Sequence, residues 1–251
     1  MARDSHDILS DPPPPAADAR LVYGPQPLQF GDLRLPADDA PFPLLVVVHG
    51  GYWKANTNLT HTGHLCIDLA ARGIATWNVE YRRVGDVGGG WPATAEDVGR
   101  ALAFTPELAL RYPLDLERVA LFGHSAGGHL VLCSANRIPV RAVFAVAAVS
   151  DVEVSVERTG AEGAAAAFLG GAPAADASPL QRVPLGVPTI LVHGTADDTI
   201  PFEDSVRYAD AAGDEARVVR LEGAGHFEPV DPQAAEWQIV AAEIERSLGL
   251  G

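Results

Sequence analysis

Short runs of uninterrupted apolar residues recur along this chain, and segments with helical periodicity separate most of them. Residues 44–48 read Leu-Leu-Val-Val-Val, without the alternation of a half-exposed strand. Such a run is typical of a strand that is buried on both faces of a parallel sheet. Strands of this kind in alternation with helices predict an α/β fold, with a mostly parallel central sheet and helices on both faces. Residues 74–79, 119–122, 140–149, 189–192 and 218–221 are further runs that are mostly apolar.

The remaining segments indicate a leader, one domain and an insertion. Residues 1–20 carry charges and four consecutive prolines, so we expect a disordered or loosely attached leader. Residues 21–251 are long enough and apolar enough for a single domain. Residues 28–35 predict an edge strand, and residues 150–188, which are rich in Ala, Gly and Pro, predict a small lid inserted in the fold.

Helices are predicted between the strands, over residues 59–71, 92–104 and 126–135. A last helix is expected to be capped by Asp231, with Pro232 at its first position. Four apolar residues recur at helical spacing on one face of this helix and should pack on the core. They are Trp237, Val240, Ile244 and Leu248.

Composition excludes several classes of function. The net charge of −15 over 251 residues repels nucleic acid and anionic membranes. No apolar stretch reaches the roughly 20 residues of a membrane helix, and the N-terminus lacks the apolar region of a signal peptide, so we expect a cytoplasmic protein. Cys66 and Cys133 lie in helical patterns and are expected to be buried, reduced thiols. The oligomeric state is left open.

Ser125 lies in the most informative motif, Gly-His-Ser-Ala-Gly over residues 123–127. The motif follows the apolar run that ends at Phe122 and precedes a helical pattern. Glycine on each side of the serine lets a strand turn sharply into a helix, which exposes the hydroxyl as a nucleophile. The alternative is a glycine-rich turn with an ordinary capping serine.

A serine nucleophile needs a histidine base and an acid that orients it, each on a loop after a later strand. His226 follows residues 218–221 and is the expected base. Asp197 follows residues 189–192 and is the expected acid. Its neighbour Asp198 is a weaker alternative, and Asp151, after residues 140–149, is a rival that could also reach the histidine.

Negative charge that develops on the substrate oxygen needs backbone N–H donors that already point at it. His-Gly-Gly-Tyr-Trp over residues 49–53 follows a predicted strand and supplies them. We expect the N–H of Gly51 or Tyr52 to act with that of Ala126. The alternative is a structural turn. Trp53 and Trp91, which ends a glycine-rich loop, are expected to border the substrate pocket.

Other histidines are interpreted more simply. His61 and His64 are expected in surface or capping roles, because no carboxylate cluster or metal-binding motif accompanies them. His129, one helical turn after Ser125, is expected to pack beneath the turn. No metal site is predicted.

With these motifs the chain resembles α/β-hydrolases of the HGGxW type, such as kynurenine formamidase (arylformamidase) and small bacterial carboxylesterases. The resemblance spans about residues 28–248 and rests on residues 49–53 and 123–128. It implies an α/β-hydrolase fold, no cofactor, and a triad of Ser125, Asp197 and His226.

The expected function is that of a serine hydrolase which cleaves a small carboxylic ester or an aryl formamide through an acyl-serine intermediate. One alternative is an exopeptidase-like amidase, although that activity needs a larger gating domain. The other is a non-catalytic small-molecule receptor on the same fold.

Overall fold

A computed structural model describes residues 9–37 and 40–250. The described strands form one eight-stranded sheet in the order β1-β2-β4-β3-β5-β6-β7-β8. β1 and β2 run antiparallel to their neighbours, and the strands from β3 onward are parallel, so the predicted mostly parallel sheet is confirmed. The strands are β1 (Ala19–Val22), β2 (Phe30–Arg34), β3 (Phe42–Val48), β4 (Ala75–Val79), β5 (Leu114–His124), β6 (Ala142–Val146), β7 (Thr189–Gly194) and β8 (Ala216–Leu221).

Helices connect the parallel strands, and short 3-10 turns precede or follow several of them. The α-helices of the described residues are α1 (Gly63–Ala71), α2 (Ala93–Ala103), α3 (Thr105–Ala109), α4 (Ala126–Ser134), α5 (Val152–Thr159), α6 (Ala164–Leu169), α7 (Ala174–Ala177), α8 (Phe202–Ala212) and α9 (Ala235–Leu248). The 3-10 turns are Leu59–Thr62, Pro179–Arg182, Gly213–Glu215 and Glu228–Val230. None of the described helices is long and apolar enough to cross a bilayer.

The core lies on both faces of the sheet, as the uninterrupted apolar strands predict. Leu44, Val46 and Val48 of β3 belong to one hydrophobic cluster, together with buried residues of α2 and α4. Leu45 and Val47 belong to a second cluster, which α1 and α9 complete. Each face of the strand therefore packs against helices, and the carboxyl ends of the strands meet at one edge of the sheet.

The strand predicted over residues 28–35 is present as β2, but the prediction that it lies at the edge of the sheet is wrong. β1 pairs with its outer side and forms the edge. β1 is four residues long, and of these only Leu21 is buried. Because β1 is short and most of its side chains are exposed, it has no apolar run in the sequence. The start of this segment therefore falls in the leader that the sequence predicts.

The described part of the leader contacts the domain, in contrast to the expected loose attachment. Leu9 is buried in the second hydrophobic cluster. His64 Nε2 donates to the Pro12 carbonyl at 2.7 Å, and Arg34 donates to that of Ala16 at 3.0 Å. Residues 1–8 lie outside the described part of the chain.

Residues 150–188 lie between β6 and β7 and contain α5, α6 and α7. The last helix begins at Ala235, later than predicted, because Asp231 accepts the N–H of Gln233 in a separate turn. Its predicted apolar face is fully buried, as expected. Cys66 is buried and Cys133 is half-buried, and both are free thiols; burial raises the pKa of each to about 12.

Candidate active site

Ser125 occupies a strained turn between β5 and α4. Its φ of 54° and ψ of −118° lie in a region that residues other than glycine rarely adopt. The flanking glycines are required by space: a Cβ on Gly123 would lie 2.2 Å from the Gly127 carbonyl oxygen. A Cβ on Gly127 would lie 2.1 Å from the Val48 carbonyl oxygen. This packing fixes the serine at the carboxyl end of the central strand.

Asp197 and His226 form the hydrogen-bonded pair that the sequence predicts. His226 Nδ1 donates to Asp197 Oδ2 at 2.7 Å. The other carboxylate oxygen accepts the backbone N–H groups of Thr199 and Ile200 at 2.8 and 2.9 Å. The carboxylate is therefore held in place by the loop after β7, and it fixes the orientation of the imidazole.

A second histidine, His193, also contacts this carboxylate. Its Nε2 lies 3.2 Å from Asp197 Oδ2, and its Nδ1 accepts from Ser205 Oγ at 2.7 Å. Burial alone raises the pKa of Asp197, but the hydrogen bonds from His193 and His226 outweigh it and hold that pKa well below the ordinary value. Asp197 therefore stays ionised well into the acidic range. The sequence analysis missed His193; its position four residues before the acid was the available signal.

The rival acids lie elsewhere. Asp151 caps α5: its Oδ1 accepts the N–H groups of Glu153 and Val154 at 3.0 and 3.3 Å. Asp198 is exposed and accepts the hydroxyl of Thr199. Of the three candidates, the structure brings Asp197 to the histidine.

His226 contacts His124, the residue before Ser125. His124 Nε2 donates to the His226 carbonyl at 2.9 Å, and the two rings lie 4.7 Å apart. The Nε2 of His226 makes no hydrogen bond within the described ranges and is open to accept a proton. In the part of the chain that the structure describes, Ser125 Oγ makes no hydrogen bond to this atom; catalytic hydrogen bonds of this kind often form only when substrate is bound.

The loop after β3 has the strained backbone expected of an oxyanion hole. Gly51 has φ of 107° and Tyr52 has φ of 56°. In residues 9–37 and 40–250, no hydrogen bond uses the backbone N–H of Gly51, Tyr52 or Ala126. These predicted donors are thus free for a substrate oxygen.

A buried polar network behind this loop was not predicted. His49 Nε2 lies 3.1 Å from Glu80 Oε1, and its Nδ1 lies 2.8 Å from the Gly50 carbonyl oxygen. Tyr81 stacks on the His49 ring and donates its hydroxyl to the His49 carbonyl at 2.7 Å. Both nitrogens of His49 are therefore occupied, and the network fixes the backbone that leads into the loop.

Glu80 connects this network to the far side of the loop. Its carboxylate also accepts the N–H of Leu59 at 3.1 Å and lies 3.3 Å from the Arg83 guanidinium. Arg83 donates to the carbonyl of Thr57, whose side chain packs so closely on Gly51 that a Cβ there would lie 2.3 Å away. Burial raises the pKa of Glu80, but His49 and Arg83 outweigh burial and keep that pKa below the ordinary value.

A cavity of about 280 Å³ opens beside the nucleophile. Ser125, Ala126, Tyr52 and Trp53 line one side of it, and residues 155–165 of the insertion line the other. Trp53 is thus placed as predicted, although its ring is almost fully buried against Phe168.

Trp91 does not line this cavity, contrary to the expectation. Its ring packs on Phe168 and His129, and its backbone N–H donates to the Phe168 carbonyl at 2.8 Å. The half-buried tryptophan therefore packs against the insertion and not along the cavity beside Ser125. Such a long-range contact has no local sequence signal.

Two other histidine predictions have opposite outcomes. His129 packs beneath the turn as expected, accepting from Trp53 Nε1 at 3.2 Å and donating to the Ala177 carbonyl at 2.8 Å. His61 is buried rather than exposed, and its ring stacks on that of His124 at 5.4 Å. Within the described ranges no group of three or more His, Cys, Asp or Glu residues could hold a metal ion.

The chain is similar to known proteins that are named as esterases. Residues 32–137 match the family model described as BD-FAE. The esterase LipC of Mycobacterium tuberculosis is 28% identical over 245 residues, covering 82% of this chain and 59% of that protein. A probable isoprenylcysteine alpha-carbonyl methylesterase, ICME, of Oryza sativa subsp. japonica is 26% identical over 238 residues, covering 82% of this chain and 57% of that protein. The chain thus spans less than two thirds of the curated relatives it matches.

Solved structures show the same fold. The apo form of Thermogutta terrifontis esterase 2 superposes with a TM-score of 0.77 at 23% identity, over 94% of this chain and 96% of the other. A truncated carbohydrate esterase from gut microbiota superposes with a TM-score of 0.79 at 20% identity, over 94% and 99%. By its sheet topology and by these resemblances, the chain has the α/β-hydrolase fold.

Proposed function

We propose that the protein is a carboxylic ester hydrolase that works through an acyl-serine intermediate. The observation that carries the proposal is the pair Asp197–His226, whose imidazole lies 4.7 Å from the ring of His124, the residue before the strained Ser125. The free N–H groups of the loop after β3 add support. Homologues named as esterases agree with this activity.

The reaction follows from the arrangement. Ser125 Oγ attacks the substrate carbonyl carbon while His226 Nε2 takes the hydroxyl proton, and Asp197 stabilises the imidazolium. The negative charge moves to the carbonyl oxygen, where the N–H of Ala126 and that of Gly51 or Tyr52 donate. Collapse of this intermediate breaks the ester bond, and His226 protonates the leaving oxygen. Water then attacks the acyl-serine with His226 as base and releases the acid.

The cavity indicates the size of the substrate. Its volume of about 280 Å³ lies at the lower end of the range for small-molecule pockets. Such a space fits a short acyl group better than a fatty chain. An aryl formamide, with the smallest acyl group of all, is a second candidate that this size and residues 49–53 both favour.

Turnover of p-nitrophenyl acetate, butyrate, octanoate and palmitate tests the proposal. We expect the highest kcat/KM at acetate or butyrate, and N-formylkynurenine tests the second candidate in parallel. A maximum at octanoate or beyond would contradict the compact site. Cleavage of an amino-acid p-nitroanilide with no cleavage of esters would favour an exopeptidase-like amidase, and binding without turnover would favour a receptor.

A further inference from the structure

Lys54 is the only lysine among the 18 Lys and Arg residues of the chain, and it lines the cavity beside Ser125. It directly follows Trp53 at the end of the loop that carries the candidate oxyanion donors. A single lysine in an acidic protein of 251 residues could lie anywhere on the surface. Instead, it lies at the opening of the candidate active site.

The backbone holds Lys54 firmly. Its N–H donates to the Gly51 carbonyl at 2.9 Å, and it forms a bridge with Val84. Trp53 on one side accepts from Val84 at 2.8 Å, and Ala55 on the other side donates to Val84 at 3.0 Å. The start of the lysine side chain is therefore fixed relative to the oxyanion donors.

Among the described residues, the ammonium group of Lys54 has no carboxylate partner. Lys54 is exposed. Within residues 9–37 and 40–250, its side chain forms no ion pair and no hydrogen bond. Arg83, in contrast, is paired with Asp86 and Glu80. An unpaired cation beside the nucleophile is free to bind a charge that arrives with the substrate.

The opposite wall of the cavity carries two cations and two carboxylates. Arg158 of α5 lines the cavity and contacts Asp204 through both terminal nitrogens at 3.1 to 3.2 Å. Arg207 contacts the same carboxylate at 2.9 Å, so two guanidinium groups share one negative charge. Glu162 also lines the cavity and cancels this excess, so among these described residues the charge that no other group offsets is that of Lys54.

We infer that Lys54 forms an anion subsite and that the substrates of this enzyme carry a carboxylate on the acyl or the leaving group. The inference rests on the proposed esterase function and names its substrate class. A net charge of −15 repels anions from the protein as a whole, so a local cation is needed to hold one against this field. Lys54 supplies that cation beside the reacting atoms.

Isosteric ester pairs test the inference. The leaving-group pair is 4-acetoxybenzoate and 4-acetoxybenzamide, and the acyl pair is the phenyl monoester of succinic acid and phenyl succinamate. For at least one pair we expect a ratio of kcat/KM, anionic over neutral, that falls about tenfold in Lys54→Met, mostly through KM. The pair that responds shows which side of the ester carries the carboxylate.

Matched variants separate charge from folding. Lys54→Arg should keep the ratio within about threefold, and Glu162→Gln should raise it. Arg111→Gln removes an exposed positive charge that precedes β5, at the opposite edge of the sheet from Ser125, and should leave the ratio unchanged. Moderate salt should lower the wild-type ratio, because the subsite is exposed.

Two results would overturn the inference. One is an unchanged ratio in Lys54→Met for both pairs while the neutral esters are still cleaved. The other is an equal loss in Arg111→Gln, which would assign the effect to overall charge. Failure of the wild type to cleave any of the four esters would instead remove the proposed esterase function on which the inference rests.

Discussion

Among the described residues, Asp197–His226 and Glu80–His49 are buried pairs of a carboxylate and a histidine at the same edge of the sheet, and of these two only the first leaves a ring nitrogen open. In the pair Asp197–His226, the carboxylate holds Nδ1 and leaves Nε2 without a partner in the described structure. In the pair Glu80–His49, both ring nitrogens contact oxygen atoms, and the Tyr81 ring covers the imidazole. Both carboxylates have a pKa below the ordinary value.

The difference shows that burial and a lowered carboxylate pKa do not identify a catalytic pair. A histidine can act as a base only if one nitrogen is free to take a proton. The open pair satisfies this condition, whereas the closed pair holds the backbone of the oxyanion loop. We therefore expect the two pairs to respond differently to substitution.

The largest effect should come from Ser125→Ala, which removes the hydroxyl that the open pair serves. We expect turnover of a short ester to fall by about 10⁶, since the loss of a triad nucleophile has an effect of this order. The fold should persist, because the turn depends on Gly123 and Gly127 rather than on the hydroxyl. Steady-state kinetics with far-UV circular dichroism measures both, and retention of most activity would exclude the mechanism.

Asp197→Asn should have the next largest effect, with turnover lower by about 10⁴, because the amide cannot hold the imidazole in the reactive tautomer. Asp151→Asn is the matched control, since this aspartate caps α5 and does not contact His226. We expect the control to change turnover severalfold at most. A larger loss in the control than in Asp197→Asn would transfer the acid role to Asp151.

Glu80→Gln perturbs the closed pair and should cost less. One oxygen of Glu80 faces His49 and the other accepts the Leu59 N–H, so the amide nitrogen of glutamine faces one of these groups, the loop shifts and turnover falls by about tenfold to a hundredfold. The loss should lie in kcat more than in KM, because the oxyanion donors act in the transition state. A loss as large as that of Asp197→Asn would show that the closed pair also takes part in the chemistry.

His129→Gln should leave turnover nearly unchanged and alter the pH dependence of stability. Burial lowers the pKa of His129 to about 4, so the unfolded chain binds a proton from about pH 6.5 downward while the folded protein does not. Stability from this group is complete above pH 6.5 and is lost as pH falls toward 4. Glutamine can still accept from Trp53 and donate to Ala177.

Urea unfolding at pH 7 and pH 5 measures this effect. We expect the wild type to lose about 2 kcal/mol more than His129→Gln between these values. The other buried histidines are common to both proteins and cancel in the comparison. Equal losses would show that His129 is not held neutral in the folded protein.

The sequence predicts those parts of the site that depend on local patterns. Strand ends, the Gly-His-Ser-Ala-Gly turn and the loop positions of Asp197 and His226 follow from apolar runs and glycine spacing, and the structure places them as expected. The turn is predictable because its backbone leaves no room for a Cβ at Gly123 or Gly127, so the sequence must have glycine at both positions.

Features that depend on distant contacts could not be predicted. The sequence predicts Trp91 at the pocket, but in the structure its ring packs on Phe168 of the insertion. His61 follows a polar stretch and looks exposed, yet it packs on His124, which is 63 residues away in the chain. The partners Glu80 and His49 are 31 residues apart, and no spacing rule connects them.

Covalent labelling tests the central claim most directly. The native protein should react with a fluorophosphonate probe to give one adduct per chain, and peptide mapping should place that adduct on Ser125. Ser125→Ala should not react, and Asp197→Asn should react far more slowly than Asp151→Asn. An unlabelled native protein, or an adduct on a residue other than Ser125, would contradict the assignment of the nucleophile.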